Sequence, residues 1–347
     1  MVTVLHTVVP SDDKTNPFVN LMVDSLPPTV DSSFFSWRRA LAGRDEVIHF
    51  QWPEKLVHGR GALRSLLKRI AFRLVLLRAA QRRNAIVLTL HNLESHEQMN
   101  RGSSRALGAL MRQVDHVVLL NGSHDPGVPN AITTVIPHGH YRTTIRERSF
   151  PTENPQSLLF FGLIRAYKNV PQVVRAFQQS GLRGRGVTLD IVGRAWDQTQ
   201  HDDVTRAVEQ GADGISVHLE AVTDAELHER ILASGLIVLP YRRLYNSGVV
   251  LLALSLDRPV LVPECPAAAD LQREFGREWV MTFDGDLDGP ALAAAYTEYS
   301  EAAQYRRPLE MEERSWEHLG RRYRDVYADA VAHRTGTAPA ASPRVGT

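Results

Sequence analysis

Short apolar runs alternate with longer helical patterns along almost the whole chain of 347 residues, and this alternation restricts the fold more than any other feature. The runs of the first half are Thr3–Val9, Ser33–Phe35, Val47–Phe50, Ala85–Leu90, His116–Leu120 and Thr134–Ile136. The pattern then restarts with Ser157–Phe161, Thr188–Val192, Ile215–His218, Leu236–Leu239, Pro259–Val262 and Trp279–Phe283. Each half therefore predicts an α/β domain, with a parallel sheet flanked by helices.

Chain length and two prolines predict where the domains divide. A single hydrophobic core stops growing at about 250–300 residues, and this chain is longer. The polar segment 145–156 carries Pro151 and Pro155, which is typical of an exposed linker, so the domains are expected to span 1–150 and 151–308. A last helix is expected within 309–333, and residues 334–347 are expected to be a disordered tail.

Composition narrows the function classes. Lys and Arg total 40 against 39 Asp and Glu, so the net charge of +1 gives no reason to expect a nucleic-acid partner. The single cysteine, Cys265, excludes an internal disulfide and fits a reducing compartment. The first residues lack a basic n-region, and the apolar stretch 70–80 is interrupted by Arg73 and Arg78. We therefore expect a cytoplasmic protein without a signal peptide or a spanning helix.

Two common nucleotide motifs are missing. The segment PSDDKTNP after Val9 contains no glycine, so the first strand lacks the G-x-G-x-x-G turn of dinucleotide-binding proteins. The sequence also has no G-x-x-x-x-G-K-[ST] run. These omissions argue against a dehydrogenase and against a P-loop NTPase.

A candidate anion site follows Phe161 instead. The sequence LLFFGLIRAYKNVPQVVRAF places Arg165 and Lys168 between a strand and a helix predicted to open near Val170. A guanidinium, an ammonium and the positive end of a helix dipole together favour a phosphate, although a solvated basic loop is the alternative. A second helix start, Asn246–Gly248, is expected to form a neighbouring anion pocket, unless it is an ordinary capped helix.

These segments resemble a known family. The series FGLIRAYKN, IVGRA, TDAEL and VLPYRRLYNSG…LALSLDRPVLVP resembles the donor-binding half of GT-B glycosyltransferases, especially those around family 4, and TLHNLESHE and VIPHGHY resemble their first half. The resemblance covers about residues 1–330. It implies two Rossmann-like, doubly wound domains facing a cleft, with the nucleotide sugar in the C-terminal domain, the acceptor in the N-terminal domain, and a last helix that crosses back.

The resemblance also implies the donor site. Lys168 corresponds to the lysine of the diphosphate, and Ser247 and Gly248 to the helix start that touches phosphate or sugar. The full set of implied donor-binding residues is Arg165, Lys168, Arg194, Tyr245, Asn246, Ser247, Gly248, His138 and Gly139.

Two departures separate the chain from the usual retaining members. Tyr245 and Ala253 occupy the positions of the Glu-x7-Glu pair, and Leu163 stands where an arginine follows the loop glycine. The chain is most similar to bacterial polysaccharide and glycolipid transferases, including GDP-mannose-dependent β-mannosyltransferases. The resemblance therefore implies hexose transfer, with GDP-mannose as the expected donor, to a lipid-linked or polysaccharide acceptor.

Glycosyl transfer requires a group that takes the proton of the acceptor hydroxyl. His91 is the leading candidate, as donor or base, although it could equally be satisfied by a neighbouring carbonyl. Glu94, Glu97, Asp12 and Asp13 are alternative bases, and Thr15 and Asn16 of the same loop are expected near the acceptor. The spacing in HNLESHE differs from H-E-x-x-H, and Asp284-Gly285-Asp286 is typical of a turn, so we expect no metal and no cofactor.

Segment 60–83 carries eight basic residues and no acidic one: Arg60, Arg64, Lys68, Arg69, Arg73, Arg78, Arg82 and Arg83. Leu63, Leu66, Leu67, Ile70, Leu74 and Leu77 are predicted to pack on the sheet. Phe72 on the opposite side, with Arg64, Lys68 and Arg69, is predicted to face anionic lipid at the inner side of the plasma membrane. A solvated face or an oligomer contact is the alternative.

Two other functions fit the same fold. A nucleotide-sugar 2-epimerase needs acidic groups but no second substrate, and the basic segment argues against it. A non-catalytic sugar-nucleotide-binding subunit is compatible with the loss of the Glu pair.

Overall fold

The structure is a computed structural model that describes residues 1–8, 17–59, 61–91, 101–122, 127–128, 130–145, 152–211, 213–242, 244 and 248–337. The chain forms two compact units, one of Met1–Gly139 with Glu312–Thr347 and one of His140–Met311. The division thus lies at Gly139, before the expected boundary at residue 150. Gly139 packs on Trp316 of the first unit, whereas the Tyr141 N–H donates to Ser255 Oγ of the second, which explains the position.

A six-stranded parallel sheet forms the centre of the first unit, in the order β2-β1-β3-β4-β5-β6. Its strands are β1 (Val2–His6), β2 (Val30–Phe34), β3 (Val47–Phe50), β4 (Ala85–Leu90), β5 (His116–Leu119) and β6 (Ile132–Val135). Alternate side chains of these strands enter two separate hydrophobic cores, one on each face of the sheet. All six strands match predicted runs, and β3 and β4 have the predicted bounds.

Five helices follow along the same part of the chain: α1 (Phe18–Asp24), α2 (Trp37–Ala42), α3 (Glu54–Val57), α4 (Ala62–Arg82) and α5 (Arg101–Met111). Helices α2 to α5 cover one face of the sheet, and α1 packs on the other face. Both faces of this sheet are therefore covered, as is typical of all-parallel sheets.

Helix α4 presents the opposite face from the one predicted. Phe72, Val75, Leu76 and Ala79 are buried against the sheet, so the prediction that Phe72 faces a membrane is wrong. The six aliphatic side chains expected in the core are instead 47–70% exposed: Leu63, Leu66, Leu67, Ile70, Leu74 and Leu77. We call these six residues the aliphatic stripe. None of the described helices is both long enough and apolar enough to cross a bilayer.

Long basic side chains explain why α4 packs in this orientation. Lys68 Nζ donates to the carbonyls of Lys55 and His58 at the end of α3, at 3.1 and 2.6 Å. Arg78 and Arg82 both donate to the carbonyl of Gly43 at the end of α2. These cations satisfy carbonyls at the negative ends of two helices while the Phe72 side of α4 faces inward.

The second unit has its own six-stranded parallel sheet, in the order β12-β11-β10-β7-β8-β9. The strands are β7 (Asn154–Phe161), β8 (Thr188–Val192), β9 (Ile215–His218), β10 (Ser234–Val238), β11 (Val260–Pro263) and β12 (Val280–Phe283). The helices are α6 (Val170–Gln179), α7 (Gln198–Glu209), α8 (Asp224–Ala233), α9 (Gly248–Ser255), α10 (Pro266–Phe275) and α11 (Gly289–Ala302). Short 3-10 turns span Arg142–Thr144, Ala166–Lys168 and Leu182–Arg185.

The last helix, α12 (Trp316–Thr335), belongs to the first unit. It starts later than predicted because a 3-10 turn, Glu312–Arg314, precedes it and Ser315 caps it by accepting from the His318 N–H. Trp316, Tyr323 and Tyr327 of α12 fill the core on the α1 face of the sheet. Residues 338–347, most of the predicted tail, lie outside the described part of the chain.

Two helix glycines provide a test of packing in the first unit. A Cβ on Gly320 of α12 would lie 2.0 Å from the Ser25 carbonyl oxygen, whereas a Cβ on Gly108 of α5 would meet only the flexible Arg112 side chain, at 3.7 Å. We expect Gly320→Ala to lower the free energy of unfolding by about 1–3 kcal/mol because of overpacking. Gly108→Ala, the matched control, should raise it by about 0.5–1 kcal/mol. Urea titrations followed by circular dichroism measure both, and a neutral Gly320→Ala would contradict this packing.

Candidate functional site

The loops that follow β7 and β8 are joined to each other in the second unit. The Ile164 N–H donates to the Arg194 carbonyl, and the Trp196 N–H donates back to the Ile164 carbonyl, each at 2.9 Å. Glycine is required at this joint, because a Cβ on Gly193 would lie 2.2 Å from the Gly162 carbonyl oxygen. The carboxyl ends of two neighbouring strands are thus held together, at the edge where ligands of open α/β sheets bind.

Arg165 directly follows Ile164 in the first of these two loops. Its guanidinium carbon stacks 4.1 Å from the centre of the Trp196 ring, and that ring is 57% exposed. The buried Nε of Arg165 has no hydrogen-bond partner within the described chain. An indole face orients the planar guanidinium, so its remaining donors are available to an acceptor such as a phosphate oxygen.

Lys168 is the second cation of the site and is only 5% exposed. Its Nζ lies 5.1 Å from the centre of the Tyr241 ring, and a Cβ on Gly162 would approach it to 3.3 Å. Burial lowers the pKa of Lys168 to about 8, and the positive charge of Arg165 lowers it further in the same direction. A buried ammonium beside another cation is electrostatically unfavourable until an anion binds.

Helix α6 begins two residues after Lys168, at the predicted position. Asn169 adopts a left-handed conformation with φ of 53°, which turns the chain from the 3-10 turn into the helix. The positive end of the helix dipole therefore lies next to the Arg165–Lys168 pair, as the sequence predicted.

The other predicted donor-binding residues have different surroundings. The Arg194 side chain is exposed, and the backbone carbonyl of Arg194 accepts the hydrogen bond from the Ile164 N–H. Gly248 opens α9, and a Cβ there would lie 2.9 Å from Tyr141 Oη. The close approach at Gly248 is therefore by Tyr141, whose pKa is raised by burial.

His91 directly follows β4 in the first unit, and its ring is held on several sides. Its Nε2 lies 2.7 Å from Gln51 Oε1, the ring stacks on Trp52 at 4.0 Å, and Phe18 contacts it edge-on at 5.1 Å. Burial, with smaller contributions from His138 and Lys55, lowers the pKa of His91 to about 3. The imidazole is therefore neutral near pH 7, and in the ligand-free protein it is a hydrogen-bonding group, not a cation.

His138 and Gly139 belong to the first unit, whereas the cation pair belongs to the second. His138 is buried between Phe18 and Trp316, and its Nδ1–H donates to the Gly139 carbonyl at 2.7 Å. Burial lowers the pKa of His138 to about 4. A Cβ on Gly139 would lie 2.4 Å from the Trp316 ring, so this glycine permits the packing of Trp316, whereas the sequence suggested the approach of a ligand.

Seven predicted site residues lie outside the described part of the chain. They are Asp13, Thr15, Asn16, Glu94, Tyr245, Asn246 and Ser247, and the alternative bases Asp12 and Glu97 lie outside it as well.

Four residues that touch the candidate groups were missed by the sequence analysis: Trp196, Tyr241, Gln51 and Trp52. All four lie shortly after the carboxyl end of a strand, where ligand-binding residues of α/β sheets collect. Their position after a strand could have marked them as candidate site residues. The side chains that they contact, however, become apparent only once the sheet order is known.

No protein-family model matches the chain. The chain is 33% identical, over 95% of its length and 93% of that protein, to a GDP-mannose:glycolipid 4-beta-D-mannosyltransferase of Xanthomonas campestris pv. campestris. Among solved structures, it is similar to a sucrose-phosphate synthase of Thermosynechococcus elongatus, with a TM-score of 0.64, 15% identity and coverage of 96% and 100% of the two chains. It is also similar to HepE of Anabaena in complex with UDP, with a TM-score of 0.60, 12% identity and coverage of 97% and 98%. These structural likenesses confirm the predicted GT-B fold.

The low pKa of Lys168 predicts a pH-dependent affinity for a nucleoside diphosphate. Lys168 is a cation below about pH 8 and loses its charge as the pH rises through that value, so the affinity should fall about tenfold between pH 7 and pH 9. Lys168→Met should weaken binding about 10–100-fold at pH 7 and flatten the profile. Isothermal titration calorimetry with GDP measures both effects.

Arg175→Met is the matched control, because it removes an exposed charge from α6, the helix that follows Lys168. Its affinity and pH profile should equal those of the unmodified protein. Unchanged GDP affinity in Lys168→Met would show that the diphosphate binds elsewhere.

Proposed function

Because the chain belongs to the family of the bacterial GDP-mannose:glycolipid 4-beta-D-mannosyltransferases, we propose that it transfers mannose from GDP-mannose to a lipid-linked saccharide. The chain is a nucleotide-sugar-dependent hexosyltransferase with the GT-B fold. The observation that carries the choice of donor class is the pair of adjacent cations in the second unit, Arg165 and Lys168, which suits a diphosphate.

The leaving group explains why these cations matter for the rate as well as for binding. When the glycosidic bond to the diphosphate breaks, negative charge grows on the β-phosphate. Lys168 and Arg165 are already in place to neutralise that charge. A preorganised site of this kind stabilises the transition state more than the ground state. Because two protein cations supply this charge, we propose that transfer requires no metal ion or other cofactor.

Other residues complete the proposed donor and acceptor sites. Arg194, Tyr245, Asn246, Ser247 and the start of α9 at Gly248 contact the donor, as in the resemblance. The neutral His91 ring hydrogen-bonds to a sugar hydroxyl. Glu94 or Asp13 accepts the proton of the acceptor hydroxyl, and Thr15 and Asn16 contact the acceptor.

The aliphatic stripe of α4 supports a membrane surface as the place of reaction. Arg64 and Arg73 are exposed on the flanks of the stripe, and no acidic residue occurs in segment 60–83. Inserting a half-exposed leucine or isoleucine into lipid is favourable by about 1 kcal/mol, and each nearby cation adds about 1 kcal/mol on anionic lipid. We propose that α4 lies in the headgroup region of the inner leaflet of the plasma membrane, where a glycolipid acceptor would be within reach.

Arg73 and the aliphatic stripe replace part of the surface that the sequence suggested. Phe72 is buried, and Lys68 is bound to the carbonyls of Lys55 and His58. Arg64 and Arg69 remain in the proposal as flanking cations.

The reaction is tested by incubating the purified protein with GDP-[14C]mannose and a lipid-linked saccharide fraction. We expect label in the organic phase, with little from UDP-glucose, and the same rate after treatment with EDTA. Appearance of the 2-epimer of the donor sugar without acceptor would show an epimerase. Tight GDP-mannose binding without transfer to any acceptor would show a non-catalytic binder.

The membrane surface is tested with vesicles of phosphatidylglycerol and phosphatidylcholine. The triple variant Leu67→Glu, Ile70→Glu, Leu74→Glu should lose co-sedimentation by at least tenfold, because charges cannot enter the acyl region, and it should fold normally because all three positions are exposed. The matched control Thr199→Glu, Gln210→Glu, Tyr305→Glu adds the same charge at exposed positions of the second unit and should bind as the unmodified protein does. Equal binding by both triple variants would remove α4 from the membrane interface.

A further inference from the structure

We propose that Gln51 is a positioning residue, which fixes the tautomer of His91 and thereby determines which ring nitrogen accepts a hydrogen bond from a sugar hydroxyl. The inference rests on the proposed function, in which His91 contacts the substrate. It concerns a side chain that is 1% exposed and that the sequence analysis did not select.

A chain of hydrogen bonds runs through the first unit and includes His91. Tyr327 Oη lies 2.9 Å from His49 Nδ1, and Thr89 Oγ1 lies 2.8 Å from His49 Nε2. Gln51 Nε2 lies 3.2 Å from the same His49 Nε2, and Gln51 Oε1 lies 2.7 Å from His91 Nε2. Gln51 therefore bridges two histidines, one at each end of its amide.

The amide gives this chain a direction. In the amide orientation of the structure, the oxygen faces His91 and can only accept, so His91 Nε2 carries the proton that it donates to Gln51 Oε1. The amide nitrogen can only donate, so His49 Nε2 must be unprotonated, and the proton of His49 is on Nδ1 and is donated to Tyr327 Oη. Burial lowers the pKa of both histidines, so each ring is neutral and carries a single proton.

The ring of His91 is also fixed in orientation. Gln51 and Trp52 directly follow β3, His91 directly follows β4, and the two strands are paired in register from Val47 with Ala85 to Phe50 with Leu88. Trp52 stacks on the imidazole with an angle of 19° between the planes, while Gln51 holds Nε2 at the ring edge. The two neighbours set the plane and the rotation of the ring together.

This arrangement has a chemical consequence for the ligand. With the proton on Nε2, the Nδ1 atom of His91 is an acceptor, so the ring matches a group that donates. A sugar hydroxyl donates such a hydrogen bond. The opposite tautomer would present an N–H group and would match an acceptor instead.

The experiment measures the tautomer directly by two-bond 1H–15N correlation spectra of protein labelled with 15N-histidine. His91→Gln identifies the resonances by their loss. We expect His91 of the unmodified protein to be protonated at Nε2 and unprotonated at Nδ1. A protonated Nδ1 would overturn the inference, and this measurement needs neither activity nor a Gln51 variant.

Gln51→Met removes both hydrogen bonds with little change of volume. We expect a mixture of His91 tautomers, a kcat/KM for mannosyl transfer lowered about tenfold, and an unchanged affinity for GDP, which lacks the mannosyl group. The matched control Thr134→Val removes a hydroxyl 2.8 Å from His116 Nε2 in the same sheet, and should cost comparable stability without altering His91. A loss of Tm alone, with the tautomer and kcat/KM unchanged, would show that Gln51 is only structural.

The outcomes separate this inference from the proposed function. If the tautomer changes as expected but neither protein transfers mannose, the positioning of His91 by Gln51 stands and the assigned reaction fails. If mannosyl transfer is confirmed while Gln51→Met keeps both the tautomer and the rate, the inference fails and the assigned reaction stands.

Discussion

The burial of Lys168 beside Arg165 is the constraint on which the candidate donor site depends. The rest of the second unit supplies what this arrangement requires: a glycine at position 162 to make room, an aromatic face for each cation, and a helix start next to them. Within the described chain, the causes of the low pKa of Lys168 include no carboxylate. No carboxylate among the described residues thus offsets the charge of Lys168, which reduces stability locally and favours an anionic ligand.

The strands and the cation pair could be predicted from the sequence because their signals are local. Strands such as Ala85–Leu90 and Val260–Pro263 are buried along almost their whole length, so each is a nearly continuous apolar run with sharp ends. Arg165 and Lys168 stand between such a run and a helix. In contrast, Trp196 and Tyr241 reach these cations through sheet pairing, and no pattern within a few residues indicates that they do.

Helix α4 shows why its orientation could not be predicted. Both sides carry apolar residues at helical spacing, since Phe72, Val75, Leu76 and Ala79 repeat as regularly as the stripe does. The side with more leucines was therefore predicted to pack on the sheet. The choice is made by non-local contacts of Lys68, Arg78 and Arg82 with the ends of α2 and α3. Lys68, Arg78 and Arg82 therefore stabilise the packing of α4 on its neighbouring helices.

The first unit is assembled from both ends of the chain, and this has a consequence for folding during synthesis. Trp316, Tyr323 and Tyr327 fill one of its two cores, and Gly139 packs against Trp316. The ribosome releases these residues after every residue of the second unit up to Met311. The second unit can therefore complete its core first, while the nascent first unit lacks α12 on the α1 face of its sheet until that helix has been synthesised. During this period the apolar surface would depend on chaperones.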